Sequence, residues 1–334
     1  MGVVAALVIL TALMLSAAGF DVNRALEALV SGALGSADAI TSGTLVRATP
    51  LILTGLAVAV AFQAGVFNIG AEGQFLMGAT ATATVALRTG AWPSAIVLPA
   101  ALLAGAVAGA AWAWIAAELR TRFHVLEVIS TLLLSFVAES LVSLMVQGPL
   151  QESQHIYPQS DPIAASARLP LLPGTRLHAG FILAVVAAVG LWYLFRRTLW
   201  GFRLRAVGAG PRAAALSGGI DAERMGAVAL LGSGALAGLA GGVEVSGVSY
   251  ALFQNLSPGY GFTAIAVAIL ARLHPLGVLA TGILFGALEA GAGAMQRDAG
   301  VPAVAVYVVE AVVILVVLLA EAAARRATVE RAGR

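Results

Sequence analysis

The sequence predicts an all-α, polytopic transmembrane helical bundle of about ten spans, some of them interrupted, and three observations carry that prediction. Hydrophobic residues fill 60% of the 334 positions and charged residues 11%, where a soluble domain usually carries about 25% charged residues. A water-soluble core of that size cannot hide so much apolar surface, so lipid must cover it. The apolar residues also gather into runs close to the roughly 20 residues that a spanning helix needs. Finally, all 19 basic side chains are arginines, and most fall in short clusters between the runs. With a net charge of only +2, that pattern is a topology signal and not a nucleic-acid surface.

Residues 3–20 form the first run; it lacks a basic flank and reads as a membrane helix, not a cleaved signal. Residues 21–44 are mixed, with Leu26, Leu29, Val30 and Leu34 at the spacing of a short surface helix. A span over 45–64 is followed by a polar, Gly-rich break at 67–74 and a short run at 75–87. Trp92-Pro93 then turns the chain into a run at 95–117 that closes at Arg120 and Arg122.

The run 125–146 is polar for a span, and Glu127, Thr131 and Ser135 share one of its faces, which predicts that this face meets protein or water and not lipid. Residues 147–178 hold five prolines between Pro149 and Pro173 and little periodicity, and read as an ordered or semi-ordered external loop. Residues 181–195 return across the membrane. The stretch 198–224 is basic and amphipathic, and 225–248 contains a small-residue run at 232–242 that permits close helix contacts. Residues 259–271 are too few to span at about 1.5 Å each, which predicts a half-helix. Runs at 276–295 and 301–319 complete the set.

The positive-inside rule places the clusters at Arg120/Arg122, Arg196/Arg197/Arg203/Arg205/Arg212, Arg272 and Arg325/Arg326 in the cytoplasm. Both termini then lie inside and 147–178 outside. Residues 1–324 form the transmembrane domain, with 147–178 external and 198–224 cytoplasmic, and 325–334 form a cytoplasmic tail.

Several chemistries are excluded. Without Cys the chain has no disulfide, thiolate metal site or cysteine nucleophile, and without Lys it cannot contain a G-x-x-x-x-G-K-[ST] phosphate loop. Any ATP used is bound by another subunit. His124, His155, His178 and His274 are scattered, with no H-E-x-x-H or paired-carboxylate motif, so neither a metal site nor an enzyme is expected.

The candidate site lies at the breaks. Glu72 stands either as an intramembrane carboxylate facing a cavity or partner or in a cytoplasmic turn between two helices, as a first-turn residue favoured by a helix dipole. The second break, 257–262, occupies the corresponding place in the C-terminal half, and paired interruptions in two halves point to a central substrate path. Phe67, Phe75, Tyr260 and Phe262 are placed to stack on a ring or sugar face, or simply to pack. In the basic stretch, arginines flank Gly210-Pro211, and an Ala-rich segment follows that fits a groove on a partner protein or rests on anionic lipid.

Phe67-Asn68-Ile69-Gly70-Ala71-Glu72-Gly73-Gln74-Phe75, the loop from Arg203 to Gly219, and Ser257-Pro258-Gly259-Tyr260-Gly261-Phe262 together resemble one known group. So do Glu127-Val128-Ile129-Ser130-Thr131 and Leu273-His274-Pro275-Leu276-Gly277. It is the branched-chain amino acid, ribose and nucleoside permease superfamily of bacterial ABC importers, and within it the longer permease of the nucleoside or simple-sugar branch.

The resemblance implies a type II ABC importer-like fold in the cytoplasmic membrane and a central path at Asn68, Glu72, Gln74, Phe75, Tyr260 and Phe262. It also implies a coupling element at Arg203, Arg205, Gly208, Pro211, Arg212 and Ala213. The implied partners are a shorter permease paralogue forming a heterodimer, an extracytoplasmic binding protein, and an ABC ATPase subunit that holds ATP and Mg; this chain itself needs no cofactor. Gly210, Leu126 and Ser135 depart from the group, which often has Asn at or beside those places. A second class, an ion-coupled secondary transporter, would use Glu72, Glu127, Glu139, Glu244, Glu289 and Glu310 as coupling carboxylates.

Overall fold

The structure is a computed structural model that describes residues 19–302 and isolated positions beyond them. The runs at 3–20 and 301–319, Glu310 and the tail 325–334 lie outside the described residues or reach them only at isolated positions. Among the described residues the regular structure is helical: α1 (Val22–Leu34), α2 (Leu45–Gln63), α3 (Ala71–Thr89), α4 (Ser94–Phe123), α5 (Glu127–Gln147), α6 (Gly180–Arg197), α7 (Leu199–Ala209), α8 (Pro211–Gly218), α9 (Ala222–Glu244), α10 (Tyr260–Leu270) and α11 (Pro275–Asp298). Six stretches are long and apolar enough to cross a membrane: Ala39–Gln63, Ser94–Phe123, Glu127–Gln147, Gly180–Arg197, Ala222–Ser249 and Pro275–Asp298. A π-helical turn extends α2 at its start and another extends α9 at its end.

The chain divides into two compact units, one of residues 49–282 and one of 1–48 with 283–334. In the second, Asp21 caps α1 by accepting the N–H groups of Asn23 and Arg24. Ala25 and Ala28 are buried with Met295, while Val30 and Leu34 face outward. Of the large apolar residues that the sequence singled out in this helix, Leu29 packs against that cluster beside the alanines, while Val30 and Leu34 are exposed.

In the larger unit, α9 runs against α3 and α4. A Cβ on Gly238 would overlap the carbonyl of Gly105, and one on Gly109 would overlap that of Gly234. The small-residue run read from the sequence is therefore a backbone-to-backbone crossing. Arg122 pairs with Glu118 at 2.6 Å one turn earlier on α4, extending that helix beyond its apolar run to Phe123.

The segment 148–178 has little helix yet is tied down by its backbone. Ser160 and Ile163 donate to the carbonyls of Leu252 and Tyr250 at 2.7 and 2.8 Å, and Leu169 donates to Ser246 at 2.8 Å. Arg168 donates to the Ile163 carbonyl and lies over the Tyr250 ring, 4.7 Å from its centroid. These contacts hold 250–259, the entry to α10, against the loop.

Candidate functional site

Two helix starts inside the larger unit build the site. After α2 ends, the chain turns at Gly65 and runs non-helically through 66–70 before α3 begins. Three side chains at successive turns of α5 receive N–H groups of this stretch and of the first turn of α3: Glu127 accepts from Phe67 at 3.4 Å, Thr131 from Ile69 at 3.2 Å and Ser135 from Gly73 at 3.2 Å. The α5 face predicted to meet protein or water thus supplies acceptors to backbone that lacks its own.

On the other side of the break, Asn68 donates to Gln74 and to Ser233, each at 2.8 Å, and accepts from Gln74 at 3.1 Å and from the N–H of Gly70 at 3.0 Å. Ser233 in turn donates to the Ala57 carbonyl at 2.6 Å. This closed net joins α2, α3 and α9, so Asn68 and Gln74 are buried and spend their polar atoms on each other and on Ser233.

The second start is α10. Gly259 sits at φ +99°, and Ser257 accepts the N–H groups of Gly259 and Tyr260 at 3.1 and 3.0 Å. The next N–H, that of Gly261, donates to the Glu72 carboxylate at 2.6 Å. A Cβ on Gly261 would overlap the backbone of Ala71 and Glu72, so only glycine admits this approach. Glu72 lies in the first turn of α3 and caps α10, which sets one carboxylate at the positive ends of two helices. The same side chain also borders a cavity.

That cavity, about 180 Å³, opens between α3, α5 and the entry to α10. Glu72, Ser135, Glu139, Asn255 and Ser257 supply its polar lining, and Leu76, Phe136, Val142 and Phe262 its apolar lining. Of the predicted path residues, Glu72 and Phe262 line it. Phe75 and Tyr260 are buried behind it with ring centroids 5.8 Å apart, and Asn68 and Gln74 lie in the polar net. Phe67 is half exposed and packs edge-on against Phe62 at 5.1 Å. Ser135 and Asn255 escaped the sequence reading as lining residues, and Glu139 entered it only as a coupling carboxylate. Glu139 stands three turns along α5 from Glu127, yet it is exposed. A carboxylate on a helix apolar enough to span a membrane requires water or a partner, not lipid.

At the end of α2 marked by Gln63, α7 and α8 form a helical hairpin over the stretch predicted to couple. Leu204 and Val207 pack into a core with Phe195 and Met225. Gly208 presses on Gln63, whose carbonyl a Cβ there would overlap. Gly210 is extended, Pro211 opens α8, and Gly219 closes it in the left-handed region. Arg203, Pro211, Arg212 and Ala213 are exposed, Arg205 is half-buried, and Leu216, which the sequence did not flag, is 90% exposed.

A helical bundle with two helices starting inside it around a polar cavity, and an exposed helical hairpin at one end, defines a polytopic membrane transport protein. Residues 40–318 match the family model described as branched-chain amino acid transport system / permease component, and the chain belongs to that family. It is a transport permease. It is 41% identical over 83% of its length to the glucose ABC transporter permease protein TsgB13 of Haloferax volcanii, covering 75% of that protein. It is 38% identical to the guanosine ABC transporter permease protein NupP of Bacillus subtilis, over 92% of this chain and 88% of the relative. A second guanosine ABC transporter permease protein of that organism, NupQ, is 30% identical over 74% of this chain and 79% of its own length. No solved structure matches the chain.

Proposed function

We propose that this chain is one of two different permease subunits of an ATP-driven importer, and that it carries nucleosides or simple sugars across the cytoplasmic membrane. The cavity lining carries the substrate class: it offers two carboxylates, two hydroxyls, an amide and two phenyl rings, and no cationic side chain. A free amino acid, whose carboxylate needs a cationic partner, is disfavoured there. A neutral solute with several hydroxyls and a ring face is suited to it, since carboxylates accept hydroxyl protons and aromatic rings stack. The relatives named as glucose and guanosine permeases agree with that class.

Glu72, Glu139, Ser135 and Phe262 contact the solute in this reading, while Asn68, Gln74, Phe75 and Tyr260 hold the two helix starts in place. The exposed α8, with Arg212, Ala213 and Leu216, docks on an ABC ATPase subunit that holds ATP and Mg. An extracytoplasmic binding protein delivers solute at the 148–178 side. The ten-span arrangement with both termini inside follows if 3–20 and 301–319 each cross, with α3 and α10 as the two interrupted helices. The match to both NupP and NupQ supports a heterodimer. The shared naming of the relatives as ABC transporter permeases favours ATP over ion coupling.

The test is uptake of radiolabelled guanosine, adenosine, uridine, ribose, glucose and leucine into proteoliposomes, with and without co-purifying subunits and internal ATP. Uptake of a nucleoside or sugar that needs both partners and ATP is expected. Uptake by the lone chain abolished by an uncoupler overturns the mechanism, and ATP-dependent uptake of leucine alone overturns the substrate class.

A further inference from the structure

A second cavity, of about 320 Å³, lies between α7, the turn after α8 and the start of α9, well removed in sequence from the lining described above. Trp200 and Arg203 stand one turn apart on α7, and Arg224 and Val228 one turn apart on α9, so each helix presents one apolar and one cationic side chain to the same space. Gly218 to Ile220 close one wall, and Met225 lies beneath.

The charge in this cavity is unbalanced. Among the described residues no carboxylate pairs with Arg203 or Arg224. Asp221 borders the cavity and caps α9 by accepting the N–H of Arg224 at 3.0 Å, so the lining carries two cationic side chains against one carboxylate. Both arginines are exposed, and so are the aromatic and aliphatic side chains beside them: Leu199, Trp200, Phe202 and Val228. An apolar surface that remains uncovered where the spans α6 and α9 begin or end belongs against acyl chains. A tryptophan at that level marks the membrane–water interface.

We infer that this cavity binds the phosphodiester headgroup of an anionic phospholipid, with Arg203 and Arg224 on the phosphate oxygens and Trp200 and Val228 along the glycerol and first acyl carbons. Two guanidinium forks fit a phosphate geometrically as well as electrostatically, and basic pockets between membrane helices select anionic headgroups on this physical ground. A soluble phosphate would satisfy the arginines and leave the apolar half of the lining bare. The site depends on the bundle lying in a membrane and not on the solute carried. Because it touches both α7 and the first turns of α9, bound lipid would brace the base of the exposed hairpin.

The test uses the full-length chain in nanodiscs containing phosphatidylglycerol and phosphatidylcholine, with the annular lipid washed out by detergent exchange and the retained lipid measured by native mass spectrometry. Retention of phosphatidylglycerol over phosphatidylcholine is expected. Arg203→Gln and Arg224→Gln should each weaken it about fivefold, from ~1 kcal/mol per arginine near a membrane surface. Arg88→Gln, on a distant helix end, should leave it unchanged, and the Arg203→Lys/Arg224→Lys double variant should keep much of the preference. Equal retention of the two lipids, or an unchanged preference in both Gln variants, overturns the site. Millimolar inorganic phosphate that displaces the lipid and alone raises Tm in lipid-free detergent overturns the lipid assignment in favour of a soluble phosphate.

Discussion

Glu72 shows how one residue joins two elements. Its carboxylate ends in the first turn of α10 while its backbone begins α3, so truncation strips a cap from one helix and a favourable charge from the other. Glu72→Ala should lower stability by about 1–3 kcal/mol, as expected for a buried donor left without its acceptor. Glu72→Gln, which keeps an acceptor for the Gly261 N–H, should cost less. Thermal melts of the purified variants in detergent check the order, and equal losses would mean that the carboxylate does not serve as the cap. His178 makes a different prediction. It is fully buried at the end of the 148–178 segment with both ring nitrogens lacking hydrogen-bond partners among the described residues, and burial lowers its pKa from 6.5 to about 4. The unfolded chain takes up this proton near pH 6.5, whereas the folded chain resists it until about pH 4. Stability is therefore intact above pH 6.5 and declines as pH falls from 6.5 towards 4, by up to ~3.5 kcal/mol at 1.4 kcal/mol per pH unit. Glu152 and Asp161 in the same segment are held below the usual carboxylate range by the hydrogen bonds of Gln159 and Ser153, and so titrate below most of that window. Melts of wild type and His178→Leu at pH 7, 5.5 and 4.5 should show a steeper decline in the wild type.

At the scale of elements, the crossing of α9 with α4 and α3 depends on the absence of side chains. Gly238→Ala would place a methyl group on the Gly105 carbonyl. Overpacking of this kind costs about 1–3 kcal/mol, and the loss should appear as a lower Tm and reduced membrane yield. Gly190→Ala, where nothing lies near the added carbon, is the control and should be neutral or slightly stabilising. The run of small residues from 232 to 242 announced a close contact, and the structure supplies one. In α1 the sequence announced the helix but not which of its apolar residues meet protein: Leu29 packs with Ala25 and Ala28, whereas Val30 and Leu34 are exposed, because large apolar residues in a membrane protein are as much at home facing lipid as facing protein. The polar face of α5 was legible for the opposite reason: a carboxylate and two hydroxyls spaced four residues apart have few places to go inside a bilayer except towards backbone that needs acceptors.

For the whole molecule, the exposed hairpin of α7 and α8 is where an external energy source would act. Pro211→Gly loosens the start of α8, Arg205→Gln removes a charge from α7, and Leu216→Asp places a charge on the most exposed large apolar side chain of α8. Each should leave insertion and Tm near wild type while uncoupling ATP hydrolysis from uptake, with Leu216→Asp reducing uptake at least tenfold. Normal transport in all three would show that energy enters elsewhere.

By itself the sequence determined that this is a helical membrane protein with no phosphate-loop motif, and that two polar breaks interrupt its apolar runs. Those conclusions rest on composition, on run length and on residue types that are absent, which need no knowledge of neighbours. Only the tertiary structure decided what each break does. Asn68 and Gln74 are equally polar in the sequence as Glu72, yet they close a net with Ser233, 165 residues from Asn68, whereas Glu72 reaches Gly261, 189 residues away, and borders a cavity. A polar group in a bilayer must find a partner. Which partner it finds depends on helices brought together across the whole chain, and so does whether a face is left over for a solute.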